Sequence, residues 1–414
     1  MNLQQEGSSL DLQLFAGRLR SMVPPTKGNA GNAPLGAGNT GMSLRSGKVL
    51  ATIACALILL LQLVAMSKWP NIRGIHDDLC YLRQAHLFQT LGVHGLNTDI
   101  TLDTDNYFRD LIKPVVPDGT PVCHPSSNPN GHRVLQFPPG PGFLLSLFPD
   151  GNRGRDLTMA MTIAVFLLSV AAIWRARTPY TVLGCGVFGF LSIYFMINPI
   201  KGSYSVPPTV VICAVIGLLT SRLALLKQQT SKLLTLATIG LLLGFLFNLR
   251  IANVLLLTGY AAMLLTGFIN RRDLSSFFEG ATLLAAYIVG AMPTLIAQHI
   301  NAGSAFSTTY GTGDQVPPQL TLETLIYYTT STQGTLTFIA IGWAAYMIIK
   351  SKLVDQRRVA WATLINCAVT FTFFVFRPIP LVMPYYLIPV AALSLWTLLS
   401  LHLYCAPRAG TAPS

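Results

Sequence analysis

Runs of mostly apolar residues, each roughly 20 long, recur along this chain, and a helix needs about that length to cross some 30 Å of hydrocarbon. Reading them off the sequence gives about ten candidates by that length criterion. They lie near Val49–Met66, Leu157–Trp174, Tyr180–Asn198, Val206–Thr220, Leu233–Leu249, Ala252–Asn270, Phe277–Ile300, Thr335–Lys350, Val359–Phe376 and Tyr385–Cys405. Apolar residues fill 51% of 414 positions and charged residues only 11%, too few charges to solvate a globule of this size. The expected fold class is an all-α membrane protein with a large outward loop between its first two spans.

Lys and Arg in short connections resist translocation, so their placement gives the spans a direction. Arg175 and Arg177, then Arg222, Lys227 and Lys232, then Arg271 and Arg272, then Lys350, Lys352, Arg357 and Arg358 fall on one side. Short connections on the other side hold Lys201, Arg250 and Arg377. The first side reads as cytoplasm, with both termini there and residues 67–156 and 301–334 facing out. The formal charge of +12 is then mainly topological, and no nucleic-acid partner is expected. Residues 1–47, rich in Gly, Asn, Ser and Pro, read as a disordered cytoplasmic segment, 48–405 as the membrane domain and 406–414 as a cytoplasmic tail. Arg45 and Lys48 precede a first run long enough to be an uncleaved anchor.

Nine of the sixteen carboxylates lie in the first outward loop: Asp77, Asp78, Asp99, Asp103, Asp105, Asp110, Asp118, Asp150 and Asp156. From Asp78 to Leu91 the spacing of Leu79, Leu82, Ala85, Phe88 and Leu91 predicts an amphipathic helix suited to the membrane surface, stopped by Gly92 and Gly95. The run Phe137-Pro138-Pro139-Gly140-Pro141-Gly142 leads into Phe143–Phe148, too short to span and read as re-entrant or interfacial. Of seven cysteines, Cys80 and Cys123 share this loop, where an oxidising compartment permits a disulfide; the spacing leaves their pairing open.

Asp77 and Asp78 follow His76 at the start of that predicted helix. Carboxylates at a helix N-terminus are kept ionised by the dipole and by unpaired backbone N–H groups. An ionised carboxylate at the membrane surface can take a proton from an acceptor hydroxyl, as a general base does; capping the helix is the other reading of the pair. Arg250 and Arg377 each follow an apolar run at the outward end, where topology disfavours cations. A guanidinium there suits a phosphate, through paired charge-assisted hydrogen bonds, or snorkels to lipid headgroups. Arg83, His132 and Arg133 can touch a headgroup or a sugar, or stay solvated. Tyr310, Tyr327, Tyr328, Tyr385 and Tyr386 can stack on sugar rings or form an interfacial belt. Glu279 and Asp273 are the acids that would suggest an ion path. P-loop, Rossmann, zinc and nucleophile-elbow signatures are missing from the sequence.

In order, these features resemble the GT-C glycosyltransferases, among them protein O-mannosyltransferases and aminoarabinose transferases, over roughly Val49–Trp396. The resemblance is carried by Asp77-Asp78 with Tyr81, Ala85, Leu87 and Gly92, then by Phe137–Gly142 and by Asn248-Leu249-Arg250. Pro293 through Gly303-Ser304 to Tyr310-Gly311, and Arg377 ahead of Tyr385-Tyr386-Leu387-Ile388-Pro389, complete it. It implies a GT-C-like fold and transfer of a sugar from a polyprenyl-phosphate donor, on the periplasmic face of a bacterial inner membrane, to a lipid, glycan or protein acceptor. By position Asp77 becomes the base, with Asp78 orienting the acceptor, supporting Asp77 or helping to hold a divalent metal. Arg250 and Arg377 become donor-phosphate ligands, and His76, Arg83, His132, Arg133, Tyr310 and Tyr385 candidates for substrate contact. A divalent metal is the one cofactor left open. Two other readings remain: a transporter or flippase of lipid-linked sugars, and a non-catalytic envelope protein of the same fold.

Overall fold

A computed structural model describes residues 43–69, 76–114, 122–197, 203–226, 228–310, 317–377 and 384–405, all within one compact unit. Ten of its helices are long and apolar enough to cross a membrane, and each coincides with an expected run to within a few residues. In chain order the spanning helices are α1 (Leu44–Ser67), α5 (Arg153–Arg175), α6 (Pro179–Ile197), α7 (Val206–Leu223) and α8 (Gln229–Leu249). After them come α9 (Leu257–Arg271), α10 (Leu274–Ala302), α12 (Thr332–Lys350), α13 (Val354–Val375) and α14 (Ile388–Cys405). Between α1 and α5 lie α2 (His76–Leu91), α3 (Tyr107–Ile112), a two-stranded hairpin of β1 (Ser126–Ser127) and β2 (Arg133–Val134), and α4 (Gly140–Ser146). The short α11 (Leu322–Thr330) lies between α10 and α12.

Helix α1 starts earlier than expected, because Ser43 accepts a hydrogen bond from the Ser46 amide and caps it; residues 44–47 are therefore helical. The rest of the expected disordered segment, residues 1–42, and the expected tail, 406–414, lie outside the described residues, as do Lys201, Lys227, Gly311 and Asp314.

Helices α8 and α10 make the most extensive contact in the bundle. On α8, Gly240 faces the Leu283 backbone of α10 and Gly244, one turn on, faces Gly290: a Cβ on Gly244 would stand 2.2 Å from the Tyr287 carbonyl oxygen, and one on Gly290 2.3 Å from that of Leu241. Small residues at this spacing let two backbones touch, which is how helices associate where lipid supplies no hydrophobic drive. Helix α14 is buried almost throughout, and its polar groups are spent on neighbours: Trp396 Nε1 donates to Ser192 Oγ at 2.9 Å and Ser400 Oγ to the Gly217 carbonyl at 2.9 Å.

Helix α2 departs from its expected place on the membrane surface. Tyr81, Leu82 and Ala85 pack with Leu145, Leu157 and Tyr204, while Leu79 and Cys80 pack with Phe108, Ile112 and Leu135, so both flanks are covered by protein. Of its polar residues Arg83 and Gln84 are covered too, while Gln89 and Thr90 are exposed. Arg83, expected to be solvated or at a headgroup, is fully buried and donates to the carbonyls of Thr98 at 2.9 Å and Asp99 at 2.8 Å. Cys80 and Cys123 are joined in a disulfide that ties α2 to the hairpin. Asn301, at the end of α10, fixes this assembly to the bundle by accepting from the Thr98 amide at 2.9 Å and donating to the Leu96 carbonyl at 2.8 Å.

Candidate functional site

The glycines of the Phe137–Gly142 run explain how α2 reaches the end of α8. A Cβ on Gly140 would come within 2.5 Å of the Asn248 carbonyl oxygen, and one on Gly142 within 2.6 Å of the Gln84 side chain. Helix α4 is thus wedged between α2 and the residues that precede Arg250. Asn248 holds that end of α8 in place. Its Oδ1 accepts from the backbone amide of Thr294 at 2.9 Å and from its hydroxyl at 2.7 Å, and its Nδ2 donates to the Gly290 carbonyl, so one side chain ties the end of α8 to successive turns of α10. Pro293 stands inside this stretch of α10 and lacks an N–H of its own.

Arg250 then leaves α8 in an extended conformation, and Asn253 turns back to donate to the Leu246 carbonyl at 2.9 Å, occupying one acceptor of the helix end. The Arg250 guanidinium lies over two tyrosine rings, 4.3 Å from the Tyr385 centroid and 4.7 Å from that of Tyr386. These rings stack on each other at 4.5 Å, and Tyr386 stacks on Phe374 at 4.8 Å. Cation–π contact holds the charge in place without neutralising it. Arg250 Nη1 is buried and has no hydrogen-bond partner among the described residues; neither has Thr370 Oγ1, and both line one small recess of about 10 Å³ with Asn253, Phe374, Tyr386 and Pro389. Two donors without acceptors around one recess suit an anion.

Asp77 and Asp78 occupy the first turn of α2 but differ in surroundings. Asp78 is fully buried and accepts from the Tyr204 backbone amide at 3.0 Å, fastening α2 to the start of α7. Asp77 is partly exposed. One turn on, the Tyr81 ring lies 5.1 Å from Phe137, whose far side meets the edge of Tyr310 at 6.2 Å. Burial, and next the Asp77 carboxylate, hold the Tyr81 phenol well above the ordinary tyrosine value; Tyr310, Arg250 and Tyr385 are also within electrostatic reach. Tyr385 in turn lies in the fields of both Arg250 and Asp77. The structure therefore brings Asp77, Arg250, Tyr310 and Tyr385 to one place and adds Tyr81, Phe137, Tyr386 and Thr370 to them. Arg377 ends α13 at the same end, its amide donating to the carbonyl of Phe374, the residue stacked on Tyr386.

Other candidates lie elsewhere. His132 Nδ1 pairs with Asp99 Oδ2 at 2.8 Å and Arg133 is exposed on β2, so both belong to the hairpin. Burial disfavours the Asp99 anion, yet hydrogen bonds from Thr101, His132 and Asn128 outweigh it and hold the carboxyl below its usual range. Arg83 Nη1 also approaches His124 Nε2 at 3.2 Å; burial, then the Arg83 charge, lowers the His124 imidazole to about 4 and keeps it neutral at physiological pH. Arg83 is thus an internal clamp of the loop. The His76 side chain lies outside the described residues, among which no three His, Cys, Asp or Glu side chains gather as metal ligands would. Glu279 is no open station on an ion path, because Lys232 and Arg271 hold its two oxygens at 2.7 and 3.1 Å.

Tyr81 and Gln84 fall four and seven residues after Asp77, the spacing of one helix face, and that signal was available in the sequence. Nothing local marks Thr370, which reaches the recess only through the packing of α13. Neither protein-family models nor curated protein sequences yield a match to this chain.

Proposed function

We propose that this multi-pass membrane protein is a glycosyltransferase of GT-C type, moving a sugar from a polyprenyl-phosphate donor to a hydroxylated acceptor at the end of the bundle that carries Asp77 and Arg250. The observation that carries this reading is the pairing of a partly exposed carboxylate with a guanidinium that has no counter-anion hydrogen-bonded to Nη1, both acting on the same two phenols, Tyr81 and Tyr385. Asp77 takes the proton of the acceptor hydroxyl, whose oxygen bonds to the anomeric carbon as the bond from that carbon to the phosphate oxygen breaks. Charge then accumulates on the leaving phosphate, where the Arg250 guanidinium and the Thr370 hydroxyl offer donors. Asp78 positions the helix that carries the base, and the rings of Phe137, Tyr81 and Tyr310 offer apolar faces to the sugar. The active face would be periplasmic in a bacterial inner membrane; the disulfide in the same loop fits an oxidising compartment.

The test is comparison by mass of envelope glycans from a deletion strain complemented with wild type or with Asp77→Asn. Loss of the base is expected to slow transfer by about 10²–10⁴ with normal membrane insertion, so the sugar returns only with wild type. Full restoration by Asp77→Asn would sink the assignment. The transporter reading finds no support in Glu279, already committed to two cations.

A further inference from the structure

At the end of the bundle opposite Asp77, the ends of α7, α8, α9, α10 and α13 line a recess of about 80 Å³, larger than the one beneath Arg250. Glu279 forms part of its wall with a side chain only 3% exposed, and its oxygens accept from Lys232 Nζ and Arg271 Nη2. A carboxylate so buried fixes both cations in position. Across the recess Arg358 pairs with Asp355 at 3.3 Å. Three cations and two carboxylates leave a net charge of +1 on the lining. Lys232, Arg271 and Arg358 keep 26, 36 and 40% of their side chains exposed, so each retains donors beyond those spent on a carboxylate. The remaining wall is apolar, built from Leu226, Leu236, Met263, Leu264 and Val359.

We propose that this recess binds the phosphate of an anionic phospholipid, with the glycerol and first acyl carbons against the apolar wall. Charge selects the headgroup: a zwitterionic lipid brings its own cation into a lining that is already positive, whereas an anionic one brings none. The apolar wall selects a lipid over a free anion, which would leave that wall against water. Location agrees, since this end carries most of the Lys and Arg of the short connections, where an anionic leaflet surface is attracted. The site is independent of the proposed transfer reaction, which lies at the other end.

Native mass spectrometry of the full chain in detergent tests it, with dioleoyl phosphatidylglycerol, the phosphatidylcholine of the same chains, and inorganic phosphate as competitor. Phosphatidylglycerol is expected to be retained about tenfold better than phosphatidylcholine, undisturbed by millimolar phosphate. R358Q and R271Q should each weaken retention by about tenfold or more, the value of one charge-assisted hydrogen bond. R358Q leaves the Glu279 pairs intact and R271Q leaves Lys232 on Glu279, and a thermal melt of each confirms folding. Equal retention of the two lipids, unchanged retention by both folded variants, or displacement by phosphate would each overturn the proposal.

Discussion

The two ends of this bundle hold their cations in opposite ways. At one end Lys232 and Arg271 share the Glu279 carboxylate, and the charge of each is answered within the protein. At the other Arg250 rests on the faces of Tyr385 and Tyr386 with a buried Nη1 that donates to nothing. Burying a charge is costly unless it is paired, so the first arrangement holds helix ends together while the second keeps a cation in readiness for an anion. A guanidinium over π faces keeps its charge and most of its donors, which a carboxylate partner would consume. The difference separates cations anchored by a carboxylate, with donors left over at the surface, from one whose buried donor is left open.

Substitutions at the two ends should therefore fail in different ways. Arg250→Lys keeps the charge but loses the planar fork and its stacking, and we expect transfer to fall by about 10²–10³ with folding intact. A thermal melt alongside a transfer assay checks the split; loss of folding in step with activity would make Arg250 another structural cation. Asn248→Leu removes the three side-chain hydrogen bonds to Thr294 and Gly290, costing about 3 kcal/mol at roughly 1 kcal/mol each. It should lower the melting temperature as well as activity, which distinguishes the residue that positions the site from the one that acts in it.

The segment between α1 and α5 has a pH dependence of its own. His124 is held at about 4 in the folded loop against an unperturbed 6.5, by burial and then by Arg83. Because the folded value is the lower one, its contribution is fully present above pH 6.5 and is lost as pH falls toward 4. The loss should reach about 3 kcal/mol. Denaturant titration of wild type and His124→Gln across that window measures it, the variant showing the flatter profile. The smallest effect is expected for Glu279→Gln: about 2 kcal/mol of stability, between the values of exposed and buried ion pairs, with transfer activity unchanged. A large loss of transfer there would break the distinction between the two ends.

Much of the architecture was legible because it depends on local quantities. Hydropathy over about 20 residues marks a span wherever it occurs, so the ten helices follow from the sequence nearly residue by residue. The acidic pair, the proline–glycine run and Arg250 were visible as residues out of keeping with their surroundings. The Asp78–Leu91 stripe told which face of α2 is apolar but not that protein, rather than lipid, covers it. A periodic pattern records a demand for burial and is silent about what meets it. For the same reason Arg83 read as a surface residue, although carbonyls fifteen and sixteen positions away enclose it.

By itself, then, the sequence determined the number of spans, the uneven distribution of Lys and Arg, and the position of Asp77 and Asp78 just beyond the first span. Only tertiary structure decided between those two carboxylates: adjacent residues on a helix point about 100° apart, and the Tyr204 amide, 126 positions away, donates to Asp78 while Asp77 stays partly exposed. It also decided that Cys80 pairs with Cys123, that Asn248 ties α8 to α10, and that Glu279 is held by two cations while Arg250 Nη1 has no partner among the described residues. Each of these depends on which distant group arrives within about 3 Å, a distance set by helix packing and not by any local pattern.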